Sequence, residues 1–333
     1  MSTAAMTAGP LARAGLTPRR VAVRYGWTIG IYLLLAVVLV VDIIVAPVFT
    51  AFDLQSLVIA TLPLAFAAMA QAVIVISGGI DLSIGAQMAL INVIAAKSME
   101  GKSFGTALLI VVALLALGAV IGTITGTLII ATGVPDIVVT LAMSFVWAGV
   151  ALIVLPEPGG GSPQAFQDLS QTSFVSEWIP SGVVVLAVVL LVVWLPLRWR
   201  RPGFALYAIG SNRNAAYLSG VRIGRTRVFA YALGSVFAAF GGLALTSTTG
   251  IGSPASGEYY TLNSVAAVVL GGVSLVGGRG GLVGPIAAAF VLSILVSIMT
   301  FLGIDPNYAQ VVQGALIVVV VMLGGLVLLR REA

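Results

Sequence analysis

A succession of long apolar runs constrains this chain more than any other feature. The first, Trp27 to Val45, is followed by runs near 54–76, 82–96, 106–131, 136–155, 181–197, 228–246, 262–276, 282–302 and 308–329. In lipid every backbone N–H and C=O needs a partner inside the protein, and a helix of about 20 apolar residues meets that demand while crossing the hydrocarbon. The pattern predicts an all-α polytopic membrane protein with about ten transmembrane helices. The runs at 82–96 and 262–276 are too short for straight spans, so short or broken helices are expected there. Composition agrees: 60% of residues are hydrophobic and 8% charged, where a soluble domain is about a quarter charged.

Charge orders these spans. If the first span leaves from the cytoplasm, parity places fourteen basic residues inside, among them Arg13, Arg24, Arg198, Arg213, Arg227, Arg279 and Arg331, and leaves only Lys97 and Lys102 outside. That is a strong positive-inside asymmetry. The expected layout is a cytoplasmic basic tail over 1–25, a transmembrane domain over 26–329 with a cytoplasmic loop at about 198–227, and a cytoplasmic end at 330–333. The run behind the tail is too long for a signal-peptide core, so it reads as a retained span. The basic excess serves topology and anionic lipid, and no nucleic acid is needed to explain it.

The chain has no cysteine and no histidine, which removes thiolate nucleophiles, imidazole bases and the common zinc ligands. Two segments imitate phosphate sites. Glu100 to Ser103 ends like a phosphate loop, but Ala96 stands where its first glycine belongs, and Gly277 to Gly284 carries Val283 at the third dinucleotide glycine. Neither is a nucleotide site, so ATP, if used, acts through a partner.

Glycine marks the unusual places. Gly118, Gly122 and Gly126 share one helical face and invite close approach of a neighbouring backbone. Ser77 to Gly85, "SGGIDLSIG", interrupts two apolar runs: Gly78 and Gly79 loosen the helix, and Asp81 to Ser83 offer groups to cap the next one. Leu270 to Gly281, "LGGVSLVGGRGG", repeats that plan in the second half. Paired breaks of this kind point to a translocation pathway. Between Gly210 and Gly220 lies a short amphipathic stretch, Asn212, Arg213, Asn214, Ala215, Ala216, Leu218 and Ser219, which suits either a docking knob for a soluble partner or a plain connector.

Four segments carry a resemblance. "SGGIDLSIG", "GVPDIVVTLA" (Gly133 to Ala142), "GFALYAIGSNRNAAYLSGV" (Gly203 to Val221) and "LNSVAAVVLGGVSLVGGRGG" (Leu262 to Gly281) resemble, in order, the signature segments of the monosaccharide (ribose-type) ABC importer permeases. The resemblance implies a type II importer permease of roughly ten helices. It implies a homo- or heterodimer in a bacterial inner membrane, an ATPase subunit with two fused nucleotide domains that carries the ATP and Mg, and an external sugar-binding protein. It also implies that the segment up to Gly220 is a coupling helix seated on the ATPase, and that the chain is not itself an enzyme. The chain departs from the family around Ser256 to Val269, where Glu258 precedes the tyrosines; related permeases handle nucleosides, a furanone-type signal or branched-chain amino acids. A solute pathway needs weak, exchangeable hydrogen-bonding groups, and the candidates are Gln71, Asp81, Gln87 and Asn92 near the first break, with Tyr259, Tyr260 and Asn263 near the eighth span. The competing class is a proton-coupled secondary transporter using Asp42, Asp81 and Asp136.

Overall fold

The computed structural model describes residues 18–305 except 175, together with isolated positions between 308 and 322. The N-terminal tail up to residue 17, the end at 330–333 and most of the run 308–329 lie outside the described residues. The described residues form an all-helical bundle without a strand; Gly159 with Gly252 and Ser173 with Pro180 make isolated bridges.

The helices are α1 (Pro18–Val45), α2 (Ala51–Ile76), α3 (Ile84–Met99), α4 (Phe104–Thr132), α5 (Asp136–Val154), α6 (Gln164–Gln171), α7 (Ser181–Val189), α8 (Leu195–Arg198), α9 (Arg201–Ser211), α10 (Arg213–Leu218), α11 (Ile223–Thr249), α12 (Glu258–Leu270) and α13 (Val283–Phe301). One π turn, Leu190–Trp194, joins α7 to α8. Among the described residues six helical segments are long and apolar enough to cross a membrane, and Ile29–Val45 and Ile84–Met99 are shorter apolar helices. The shortness expected near 262–276 is real: α12 has 13 residues, about 20 Å of helix.

Helix α2 is the centre of the bundle. Its apolar window is 89% buried, against 11% for α5. Its inner stretch is rich in small residues, Ala65, Ala67, Ala68, Ala70 and Ala72, all fully buried, and small side chains let α11, α12 and α13 close around it. Helix α11 packs along α4 through the glycine face. A Cβ at Gly118 would stand 2.8 Å from the Ser235 carbonyl oxygen, one at Gly122 2.2 Å from that of Tyr231, and one at Gly126 2.9 Å from Cα of Val228. Each is closer than a side chain tolerates. The outer faces of α4 and α5 keep Leu109, Val112, Phe145 and Ile153 exposed, as helices facing lipid do.

Candidate functional site

Helix α2 ends where the glycines begin. Ser77 donates its hydroxyl back to Ile74 O at 2.7 Å, and Gly78 turns left-handed at φ 81°, a conformation that costs glycine nothing. Asp81 is fully buried in the turn. Its Oδ1 accepts from Ser83 N at 2.7 Å and Ser83 Oγ at 2.5 Å, and its Oδ2 accepts from Gln87 Nε2 at 3.2 Å. Ser83 is the residue at the start of α3, yet it makes no side-chain cap; its hydroxyl goes to Asp81 instead. The polar groups expected to cap α3 thus knit the turn to itself one residue earlier.

The other end of that turn is braced by charge. Asp136, in the first turn of α5, pairs with the Arg227 guanidinium of α11 and accepts from the Tyr231 hydroxyl at 2.7 Å. Tyr231 also reaches Ile80 O at 3.3 Å. A Cβ at Gly79 would stand 2.7 Å from Asp136 Oδ2, so the second glycine of the pair is there to admit this carboxylate. Nothing local in the sequence linked Asp136 to Arg227, which is 91 residues away; an acid behind "GVP" and a base inside the next basic segment were the available signals.

The second break meets the first. Gly272, Gly277, Gly278 and Gly280 all have positive φ, and Gly278 N donates to Ile76 O at 2.9 Å. Helix α9 ends against both: a Cβ at Gly210 would lie 1.9 Å from Ile76 O and 2.5 Å from Gly278 N. Tyr207 of α9 donates to Gly280 O at 3.0 Å, and Arg213, the first residue of α10, donates to Gly78 O at 3.3 Å. Two interrupted helices and the α9–α10 corner therefore share one contact point.

Helix α10 is made as its residues suggest. Asn212 caps it by accepting from Ala215 N at 3.0 Å, and Gly220 at φ 83° ends it. Ser219 folds back to Ala215 O, and Asn214 and Ala215 are exposed with Leu218. Ala216, by contrast, is 4% exposed and turned inward, so it cannot meet a docked partner. Tyr217, which the amphipathic count passed over, is 69% exposed and Leu218 84%. These two adjacent apolar side chains are the outward feature of the knob.

The remaining candidates separate by position. Gln71 is fully buried with neither amide atom bonded, and Gln87 Oε1 is also without a partner. Asn92 sits midway along α3, where it donates to Thr246 Oγ1 at 2.9 Å and Ile251 O at 3.1 Å and accepts from Ser253 N at 2.8 Å; it pins the loop before α12. Tyr259 and Tyr260 pack edge to face at 5.2 Å, and Asn263 donates back to Tyr259 O at 2.8 Å. The start of α12 packs against the start of α3, where a Cβ at Gly85 would stand 2.2 Å from Gly257 O and 2.3 Å from Thr261 Oγ1, so the tyrosines lie one helix away from the first break.

Comparison with known proteins agrees with this architecture. Residues 54–321 match the family described as branched-chain amino acid transport system / permease component, a stretch that contains all four segments of the resemblance. The chain is 31% identical over 297 residues to the ribose import permease protein of Escherichia coli strain K12, covering 87% of this chain and 90% of that one. It is 34% identical over 253 residues to the ribose import permease protein of Bacillus subtilis strain 168, covering 75% and 77%. With the autoinducer 2 import system permease protein of Photorhabdus temperata it shares 30% over 311 residues, covering 90% and 91%. No solved structure matches the chain. The length of these matches and the glycine-broken helices they span place the chain in this permease family, beside the sugar import permeases.

Proposed function

We propose that the chain is the membrane-spanning permease subunit of an ATP-driven importer for a monosaccharide or a related small polar solute. The observation that carries this reading is the shared contact of Gly78, Gly210 and Gly278, because it joins an exposed docking helix directly to both interrupted helices. In this reading the basic end of the bundle is cytoplasmic, as are both termini, and the membrane is the bacterial inner membrane. Tyr217 and Leu218 seat on a separate ATPase with fused nucleotide domains, which holds the ATP and Mg. An external binding protein delivers solute, and a second permease subunit, identical or related, completes the pathway with ten helices per chain in the type II arrangement.

The permease has no bond to make or break. It exposes one path alternately to the two sides, and only differences in partner affinity between states drive that exchange. When the ATPase closes, α10 is displaced; Arg213 pulls on Gly78 O, and Gly210 presses on Ile76 O and Gly278 N. The breaks give because glycine allows backbone rotation there.

Proton coupling through Asp81 or Asp136 is disfavoured by the partners of these two acids. Asp136 is held by Arg227 and Tyr231, and Asp81 by Ser83 and Gln87. The test is uptake into proteoliposomes by the permease with the ATPase that co-purifies from its native membrane. Uptake of ribose, galactose or fructose that needs internal ATP and survives collapse of the proton gradient supports the proposal. Uptake driven by the gradient without ATP overturns it.

A further inference from the structure

At the end of the bundle opposite the docking helix, α2, α12 and α13 enclose a cleft of about 380 Å³, lined by Asp53, Ser56, Tyr259, Ser293, Ser297 and Thr300 among apolar residues. Its size lies in the range of small-molecule sites, about 300–1,000 Å³. Its polar groups are four aliphatic hydroxyls, one phenol and one carboxylate, with no base in the lining. Behind the wall stands Asp42 of α1, 1% exposed, with Oδ1 lacking any hydrogen-bond partner. Ser297, which lines the cleft, is close to the Asp42 carboxylate, and Asp53, on the facing wall, is its like-charged neighbour. A buried carboxylate short of donors is costly, and its charge adds to the negative character of the wall that carries Ser297.

We infer that this cleft is a solute-entry site for a neutral, polyhydroxylated ring, in which ring hydroxyls donate to Asp53 and exchange bonds with Ser56, Ser293, Ser297 and Thr300. The inference rests on the proposed import function. Carboxylates accept only, whereas serine and threonine hydroxyls both donate and accept, so the site suits a molecule that offers several O–H groups at once. Tyr259 supplies an aromatic face at the mouth, 42% exposed. A divalent metal ion is not the fitting occupant, because among the described residues no three acids converge. Shared and partly wet hydrogen bonds keep the binding weak, as passage requires.

The absence of cysteine makes the site directly testable. Ser293 is the most buried of the hydroxyl-bearing residues that line the cleft, at 9% exposure. Ser293→Cys in the full chain, held in nanodiscs, should react with a small water-soluble maleimide. D-ribose, D-galactose or D-fructose should slow that reaction. At a sugar concentration about twice its dissociation constant, mass action leaves about a third of sites free and labelling slows about threefold. Sodium chloride of equal osmolality should not protect.

Asp53→Asn on that background should raise the half-protecting sugar concentration about tenfold, the loss of one charge-assisted bond. Should that variant fail to fold, Ser297→Ala should raise it several-fold. An unreactive Ser293→Cys, labelling insensitive to all three sugars, or protection by an organic cation such as choline alone would each overturn the inference. Protection in a chain that shows no ATP-driven uptake would count against the proposed function and leave the cleft standing; ATP-driven sugar uptake without protection would do the reverse.

Discussion

The two helix breaks use similar residues and end up as different devices. Ser77–Gly85 is a closed knot: Asp81 is wholly buried, three donors converge on it, and an ion pair between α5 and α11 braces its edge. Leu270–Gly281 is a looser loop, with four glycines at positive φ, side-chain bonds only from outside it, by Tyr207 to Gly280 O and Trp27 to Leu270 O, and Leu275 and Val276 exposed. What ties them is a single backbone bond, Gly278 N to Ile76 O, with Gly210 wedged beside it. One break therefore reads as an anchor and the other as a moving part, and both are in reach of the docking corner.

The largest effect is expected where the two meet. Gly210→Ala places a methyl group against two backbones that cannot step aside. It should abolish transport while the subunit still reaches the membrane; wild-type transport by this variant would mean that the contact is not part of the path of force. Asp136→Asn comes next. It leaves Arg227 buried without its charge partner, a loss of about 3–5 kcal/mol, which thermal unfolding in detergent should register as a large drop in midpoint.

Asp81 separates satisfied geometry from charge. Asp81→Ala strands the Ser83 amide and the Ser83 hydroxyl proton, at about 1–3 kcal/mol for each buried group left unsatisfied, while Gln87 Nε2 keeps its bond to Ser83 Oγ at 2.8 Å. Asp81→Asn should be mild. Its oxygen still serves Ser83, and Gln87 can turn its unpartnered Oε1 toward the new amide. Retained transport in the asparagine variant, measured beside loss in the alanine one, fits a structural knot; loss in both, with folding intact, would restore the carboxylate to a proton-carrying role. The smallest effect belongs to Gly149→Ala on α5, where a Cβ meets nothing within 4 Å. Expression, stability and transport should be unchanged.

The sequence made some of this legible because the signals are local. Glycine pairs mark both breaks, asparagine before and glycine after mark α10, and a four-residue glycine spacing marks the α4 face that receives α11. Other parts depend on tertiary packing. The apolar windows of α2 and α5 have hydropathies of 2.2 and 2.5, so apolarity does not reveal that one is central and the other peripheral. The pairing of Asp136 with Arg227, the inward turn of Ala216 and the meeting of both breaks at Gly210 are equally invisible to pattern. Asn92 is expected beside the first break because it is close in sequence, but about two turns of α3 carry it to the middle of the helix, against the loop before α12.

The coupling reading stands most directly on one surface residue. Leu218, at 84% exposure, has no packing role in the isolated subunit, so Leu218→Asp should fold and insert normally while its charge must be desolvated at any docked face. The measurement is co-purification of the ATPase subunit with this variant, set beside Gly210→Ala. Release of the ATPase by Leu218→Asp and its retention by Gly210→Ala, with transport lost in both, is the expected result. Full ATPase association and normal uptake in Leu218→Asp would make α10 a plain connector and move the coupling site elsewhere.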